Sequence, residues 1–424
     1  MTSPKTRASA DCQPEQLSVD QALTRILASI RPVTATETLP IQQALGRILA
    51  TAVQAPIPVP GHDNSAMDGY ALATGDQSLA STQGLLLAGR SMAGHPYTQS
   101  LQPGECVRIM TGAVVPPGAD SVVMQEDVTT HEERIIFPED FQPGDNIRRA
   151  GEDLQPGQTV LEKGRVLRAA DLGLVASLGI TEVELRRKIR VAFFSTGDEL
   201  VAAGTPLQTG QIYDSNRQTL AALLQQPPIE AVDLGLVADE TDALRRTFIA
   251  ARDQADVIIT SGGVSVGEAD FVKAVFSELG KIDFWRIAIK PGRPLAFGEI
   301  PRRETNETTW FFGLPGNPVS SHVTFELFAA PALARLAGAS PTTPLKLAAR
   351  LTHAIKRRPG RQEYQRGRFT QSANGELQVS STGNQSSGVL SSLSQANCYI
   401  VLAAQSSGHQ AGEQVTIEPF HTHI

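Results

Sequence analysis

The chain has 424 residues, 41% of them hydrophobic and 19% charged, the composition of a globular protein too long for one ordinary core; about two to four domains are expected. Its net charge of −7 argues against bulk nucleic-acid binding and leaves room only for a local basic pocket. No apolar run approaches the ~20 residues that span a bilayer, and the three cysteines (Cys12, Cys106 and Cys398) form neither a metal-ligand spacing nor a disulfide framework, which suits a reducing cytoplasm.

The polar segment 1–16 lacks an apolar signal region and is expected to be a disordered tail. Ser18-Val-Asp-Gln21 then reads as a capping box, followed by Ala22, Leu23, Ile26, Leu27 and Ile30 at helical spacing. Pro32 ends that helix, and Gln42 to Leu49 reads as a second short one. From residue 51 to 145 strand-like runs alternate with Pro/Gly turns, as in Pro116-Pro-Gly118 and Gln142-Pro-Gly144, so a β-rich insert is expected. Arg165 to Leu178 is helical again. Segments 17–50 and 146–187 are therefore expected to form one discontinuous, helical N-terminal domain.

From 188 to 338 strands and helices alternate: Arg190–Phe194, Ser215–Gln225, Ala231–Val237, Thr241–Arg252, Asp256–Thr260 and Phe271–Leu279. The pattern predicts a doubly wound α/β domain on a parallel sheet, whose ligands bind at the carboxyl ends of the strands. Phe284–Ile289 and Thr309–Gly313 continue the sheet, and Pro318–Ala337 is a long helix. After the linker Ala339-Ser-Pro-Thr-Thr-Pro344, short strands over 345–424 predict a small, barrel-like C-terminal β-domain.

The most informative stretch is Ser261-Gly-Gly-Val-Ser-Val-Gly-Glu-Ala-Asp270. A buried strand runs into Gly262, Gly263 and Gly267, with Ser265 as a hydroxyl donor, and then into a helix whose N-terminus favours an anion. The spacing fits neither nucleotide fingerprint, and alone it reads equally as an ordinary strand-to-helix turn. Acids at further strand ends change the balance. Glu199, Asp239 and Asp270 beside a phosphate-type loop point to a Mg²⁺-assisted site. Arg286 and Lys290 lie in or next to Ile289-Lys-Pro-Gly-Arg-Pro294 and read either as surface cations or as groups facing an anion. Pro315, Asn317 and Pro318 make a rigid turn and helix start.

Taken together these segments resemble the molybdopterin molybdenumtransferase family, called MoeA in bacteria, with the gephyrin E domain as the animal counterpart. The matching motifs are DNSAMDGYA (63–71), RIMTGA (108–113), IRRAGED (147–153), FSTGDEL (194–200), IYDSN (212–216), SGGVSVGEAD (261–270), IAIKPGRP (287–294) and GLPGNPVS (313–320), in collinear order from about Leu17 to Phe420. The resemblance implies a cytoplasmic homodimer whose active site is shared between subunits. It implies insertion of molybdate into adenylylated molybdopterin with release of AMP, assisted by Mg²⁺. The adenylating enzyme of the same pathway is an implied partner. Glu199, Asp239 and Asp270 would hold the metal and act in catalysis with Asp68, Thr111 and Asp153. Arg148, Gly262, Gly263, Ser265, Gly267, Arg286, Lys290, Pro315, Asn317, Pro318, Arg366 and Ser387 would bind substrate. The family often has Lys at position 286, so the charge is kept there with different geometry. The competing readings are adenylation of molybdopterin and a non-catalytic scaffold of the same fold; tungstate in place of molybdate is not separated by any residue choice.

Overall fold

The computed structural model describes residues 16–263, 271–303 and 307–420. The expected tail over 1–16 lies almost wholly outside them, as do Ser265, Gly267 and Asp270. The chain enters as β1 (Gln16–Leu17) and α1 (Val19–Ser29). The Ser18 capping box forms in both directions: Gln21 N donates to Ser18 Oγ at 3.2 Å, and Ser18 N to Gln21 Oε1 at 2.9 Å. Val19, Ala22 and Ile26 form the buried face of α1. That face shares a core with Phe325, Phe328, Leu333 and Leu336, and β1 pairs in parallel with residues 286–287. The first helix thus packs into the α/β core and does not rejoin residues 165–178. Helical periodicity shows that a face is buried, but not against what.

β2 (Thr36–Pro40) pairs antiparallel with β3 (Glu182–Arg186), and α2 (Ala169–Ser177) puts Val175 into a core with Ala44, Leu49, Leu167, Val183 and Leu185. The expected helical domain is here mostly strand and turn. Residues 42–49 are no helix beyond the 3-10 turn Ile41–Gln43. Gly46 has φ of +71°, and the amides of Gly46 and Leu49 bond to the carbonyls of Leu167 and Arg165 instead of to their own turn. The insert forms a six-stranded sheet, in spatial order Ser121–Met124, Gly69–Leu72, Glu105–Ile109, Leu85–Ser91, Arg134–Ile136, Thr129–His131.

The α/β domain runs β4 (Ile189–Thr196), α3 (Ser215–Leu223), β5 (Ile229–Val237), α4 (Thr241–Gln254), β6 (Val257–Ser261) and α5 (Phe271–Leu279). It continues with β7 (Lys281–Ile287), β8 (Ile289–Lys290), β9 (Pro294–Pro301) and β10 (Thr308–Leu314). Helices α6 (Pro318–Thr324) and α7 (Ala330–Leu336) follow, joined through a π-helical turn, Phe325–Ala329. Sheet order is β1-β7-β9-β10-β6-β4-β5. The strands alternate sides with period two: Val191 and Phe193 enter one core, Ala192 and Phe194 the other. Phe248 of α4 meets Phe194, Phe276 and Phe311 edge-on at 5.5–5.7 Å between centroids. The sheet is mixed rather than all parallel, because β9 runs antiparallel to both neighbours. This strand, Pro294–Pro301, lies between the two stretches expected to continue the sheet and is not among the predicted elements.

Five strands close the C-terminal barrel: β11 (Leu347–Leu351), β12 (Gln362–Gln371), β13 (Leu377–Ser381), β14 (Cys398–Leu402) and β15 (Gln414–Pro419). The ring runs β12-β13-β11-β15-β14 and returns to β12. β8 adds to the start of β12, tying the α/β domain to the barrel.

Candidate functional site

Strand order reverses at β4: the chain moves to β5 on one side, then to β6 on the other. The crevice at the carboxyl ends of β4 and β6 is the switch point of this sheet, where open α/β folds bind ligands. Its floor is the glycine turn. Gly262 has φ of +92°, and a Cβ there would lie 2.4 Å from the Thr196 carbonyl oxygen. Gly263 has φ of +66°, and its Cβ would meet Val272 Cγ2 at 2.5 Å. Both positions need glycine for conformation and for space. Gly262 N donates to Leu314 O at 3.2 Å, joining the turn to the segment that carries Pro315 and Asn317.

Asn216, at the start of α3, bridges these two loops. Its Nδ2 donates to Ser261 Oγ and to Gly316 O, each at 2.7 Å. Asp214, the N-cap of α3, accepts from Arg217 N at 3.1 Å and from Ser195 Oγ at 3.0 Å. Pro318 occupies the first turn of α6, behind a buried Pro315 and an exposed Asn317. Asp214 and Asn216 were not singled out as site residues from the sequence. The signal was there: Asp-Ser-Asn before a helical run is an N-cap pattern on a strand end.

Thr196 Oγ1 donates to Asp239 Oδ1 at 3.2 Å, bringing the ends of β4 and β5 together. Burial pushes the Asp239 carboxyl above the usual range, the charges of Asp198 and Glu199 push the same way, and the Thr196 hydroxyl opposes them. Glu199 and Asp239 therefore share one electrostatic environment, in which a hard cation would relieve the repulsion. Among the described residues no group of three His, Cys, Asp or Glu side chains stands in metal-holding geometry; the third acid, Asp270, lies outside them.

Arg286 lies at the same sheet edge. Because β9 is antiparallel to β10 and β7 to β9, the pairings Ala296–Gly313 and Arg286–Pro294 bring the end of β7 level with the end of β10. The motif from 287 to 294 is the turn at that edge, closed by Ile287 N to Arg293 O at 2.8 Å. Lys290 Nζ reaches Glu363 Oε1 of the barrel at 3.1 Å. Arg366, 1% exposed, turns Nε to Ser392 Oγ at 3.0 Å and Nη2 to the carbonyl of Ser386 at 3.1 Å. It holds the loop in which Ser387 O accepts from Val319 N at 3.1 Å.

The insert motifs converge on a second cluster, although nothing in their spacing links them. Residues 64–65 pair antiparallel with 147–148, Ser65 exchanges backbone hydrogen bonds with Gly112 and Ala113, and Ala66 N donates to Asn146 O. Asp68 Oδ1 accepts from both the amide and the hydroxyl of Thr111 at 2.8 Å, and these two bonds hold its carboxyl below the usual range. Arg148 and Asp153 line a cleft of about 420 Å³ with Val59, Pro60 and Glu152. No hydrogen bond or ion pair of Asp68, Thr111, Arg148 or Asp153 to the strand-end acids is found among the described residues.

A roomier cleft of about 970 Å³ lies at the opposite, amino ends of the strands, lined among others by Arg187, Arg190, Asp256 and Arg302. Its arginines are taken: Asp256 binds Arg187 at 2.7 Å and Arg302 at 2.9 Å, and Glu230 binds Arg190 at 2.9 Å. Size alone does not make it the site.

The chain matches known families along most of its length. Residues 17–179 match the MoeA N-terminal region (domains I and II), 192–335 a probable molybdopterin binding domain, and 348–420 the MoeA C-terminal region (domain IV). The chain belongs to the MoeA family. It is 47% identical over 407 residues to a molybdopterin molybdenumtransferase of Haemophilus influenzae, covering 96% of this chain and 99% of that one. It is 35% identical to a gephyrin of Dictyostelium discoideum over 92% of this chain and 60% of that protein. A crystal structure of the molybdopterin biosynthesis MoeA protein of Pyrococcus horikoshii superposes with a TM-score of 0.82 at 29% identity, over 96% of this chain and all of the other.

Proposed function

We propose that this chain is a molybdopterin molybdenumtransferase that inserts molybdate into adenylylated molybdopterin with release of AMP. The observation that carries the reading is the family match along the whole chain, with 47% identity over 407 residues to a relative of that name. The retained acids support an active enzyme: Asp68, Asp153, Glu199, Asp239 and Asp270 are all present.

The glycine turn lets the substrate's phosphates approach the backbone closely, and Arg286 and Lys290 add positive charge at the same edge, Lys290 facing the molybdate oxyanion. Glu199 and Asp239, with Asp270, would hold Mg²⁺, which when bound neutralises pyrophosphate charge and polarises a P–O bond. Thr196 fixes the Asp239 carboxylate, Asn216 fixes the spacing of the glycine turn and the Pro315–Pro318 turn, and Arg366 fixes the loop of Ser387. Asp68, Thr111, Arg148 and Asp153 complete the site from the partner subunit of a homodimer. That arrangement is what the family resemblance implies.

The test is incubation of the purified protein with adenylylated molybdopterin, Mg²⁺ and molybdate. Molybdate-dependent AMP release, with reconstitution of an apo-molybdoenzyme, is the expected result. AMP attachment instead of release would favour the adenylation reading, and tight binding without release a scaffold. No helix among the described residues is long and apolar enough to cross a membrane, and a cytoplasmic setting is the natural one for this pathway step.

A further inference from the structure

We infer that Glu363 of the C-terminal barrel is a positioning residue for Lys290. The inference rests on the reading of Lys290 as an anion-binding group. β8 carries Lys290 and pairs in parallel with β12, with Lys290 directly opposite Glu363. Glu363 is 4% exposed, whereas the Lys290 side chain is 47% exposed. One carboxylate oxygen of Glu363 accepts from Lys290 Nζ at 3.1 Å, and the other from Gln365 Nε2 at 2.8 Å. Arg357, whose side chain is 1% exposed, places Nε 3.5 Å from the same carboxylate. A buried acid thus fixes the root of a half-exposed ammonium across a domain boundary.

The geometry matters because a lysine is a point charge on a flexible stem. A free Lys290 would sample many rotamers and meet an anion at an entropic cost. Bound to Glu363 through one of its three N–H donors, it keeps two for a ligand at the sheet edge. Arg357 and Gln365 hold the carboxylate in turn, so the barrel wall sets where the α/β domain's cation stands.

The experiment compares Lys290→Ala, Glu363→Gln, Glu363→Asp and the double variant Lys290→Ala/Glu363→Gln, with thermal melts to confirm folding. Molybdate is the probe, read both as half-saturation in AMP release and as direct binding by calorimetry. Glu363→Gln is expected to raise the molybdate half-saturation about tenfold with the saturated rate little changed. Glu363→Asp should recover part of that loss, and the double variant should be no worse than Lys290→Ala alone. A shifted Lys290→Ala beside an unshifted Glu363→Gln would overturn the inference and leave the anion-binding reading standing. An unshifted Lys290→Ala would overturn that reading and the inference with it. A fall in saturated rate at unchanged half-saturation in Glu363→Gln would reduce Glu363 to a structural acid and also overturn it.

Discussion

The Thr196 hydroxyl donates to the Asp239 carboxylate at 3.2 Å, joining the carboxyl ends of the first two strands of the α/β domain. The bond fixes an acid that burial and the neighbouring Asp198 and Glu199 make harder to ionise. Asp239→Asn keeps the shape and the hydrogen bond but removes the charge. If Asp239 holds the metal as proposed, the variant should fold normally and lose about a hundredfold in turnover, ~2.7 kcal/mol of barrier. On the proposed reading Asp239 acts ionised, and burial places its carboxyl above the usual 3.8. Activity should therefore fall as pH drops through that raised value. A pH–rate profile checks this; wild-type activity in Asp239→Asn would refute the assignment.

Gly262 and Gly204 offer a controlled contrast in the same domain. Both have φ near +90°, but a Cβ at Gly262 meets Thr196 O at 2.4 Å, while one at Gly204 meets nothing within 4 Å. Gly204→Ala should lose only the ~1 kcal/mol of a left-handed non-glycine residue. Gly262→Ala adds a backbone clash and should lose roughly 1–3 kcal/mol more and displace the turn, weakening substrate binding. Denaturant melts and ligand titrations of the two variants test the contrast.

How far the sequence shows this site depends on the kind of signal. The α5 helix and the strand-end acids are local patterns, and Phe271–Leu279 forms as the spacing predicts. The convergence of 63–71, 108–113 and 147–153 is not local. It depends on antiparallel pairing across more than 80 residues, such as Arg148 with Asn64, and no period encodes a partner. Likewise α1 shows its apolar face in the sequence, but its contact with Phe325 and Phe328 depends on tertiary topology. Strand β9 escapes because Pro294 starts it and Gly298 interrupts it, both of which read as turn signals.

Asp256 anchors the opposite end of the sheet. Burial alone would raise its carboxyl, but hydrogen bonds from Arg187 and the Arg190 amide, with the charges of Arg187 and Arg302, outweigh it and hold the carboxyl below its usual 3.8. A depressed carboxyl stabilises the fold above its unfolded value and loses that contribution as pH falls through the folded one. Acid unfolding should therefore draw on this group below about pH 4. Asp256→Ala leaves the partly buried Arg187 without its carboxylate, while Arg302 keeps Glu307 at 2.6 Å, and should cost about 3 kcal/mol at neutral pH. Urea titrations at pH 7 and pH 3 should show a gap between wild type and variant that narrows in acid.

Tyr399 of the barrel meets both α6 and the π-helical turn, its hydroxyl 2.9 Å from His322 Nδ1 and hydrogen-bonded to Glu326. Burial, aided by the charge of Glu418, raises the Glu326 carboxyl to about 7, against the pull of the Tyr399 hydroxyl, while burial lowers His322 to about 4. For a carboxyl raised in the folded state the sign reverses. Its contribution is whole below the unfolded value of 4.5 and is lost as pH rises toward about 7. Glu326→Gln should flatten that decline and melt higher than wild type at pH 8, as thermal scans across pH would show.

On the reading proposed above, one active site is built from two clusters on different subunits: Asp68 with Thr111, and Glu199 with Asp239. Mixed dimers of Asp68→Asn and Asp239→Asn chains test it most directly, with molybdate-dependent AMP release as the readout. Each variant alone should be inactive. A mixed dimer should regain activity, because one of its two sites draws neither substitution. Verified mixed dimers that stay as inactive as their parents would contradict the shared site.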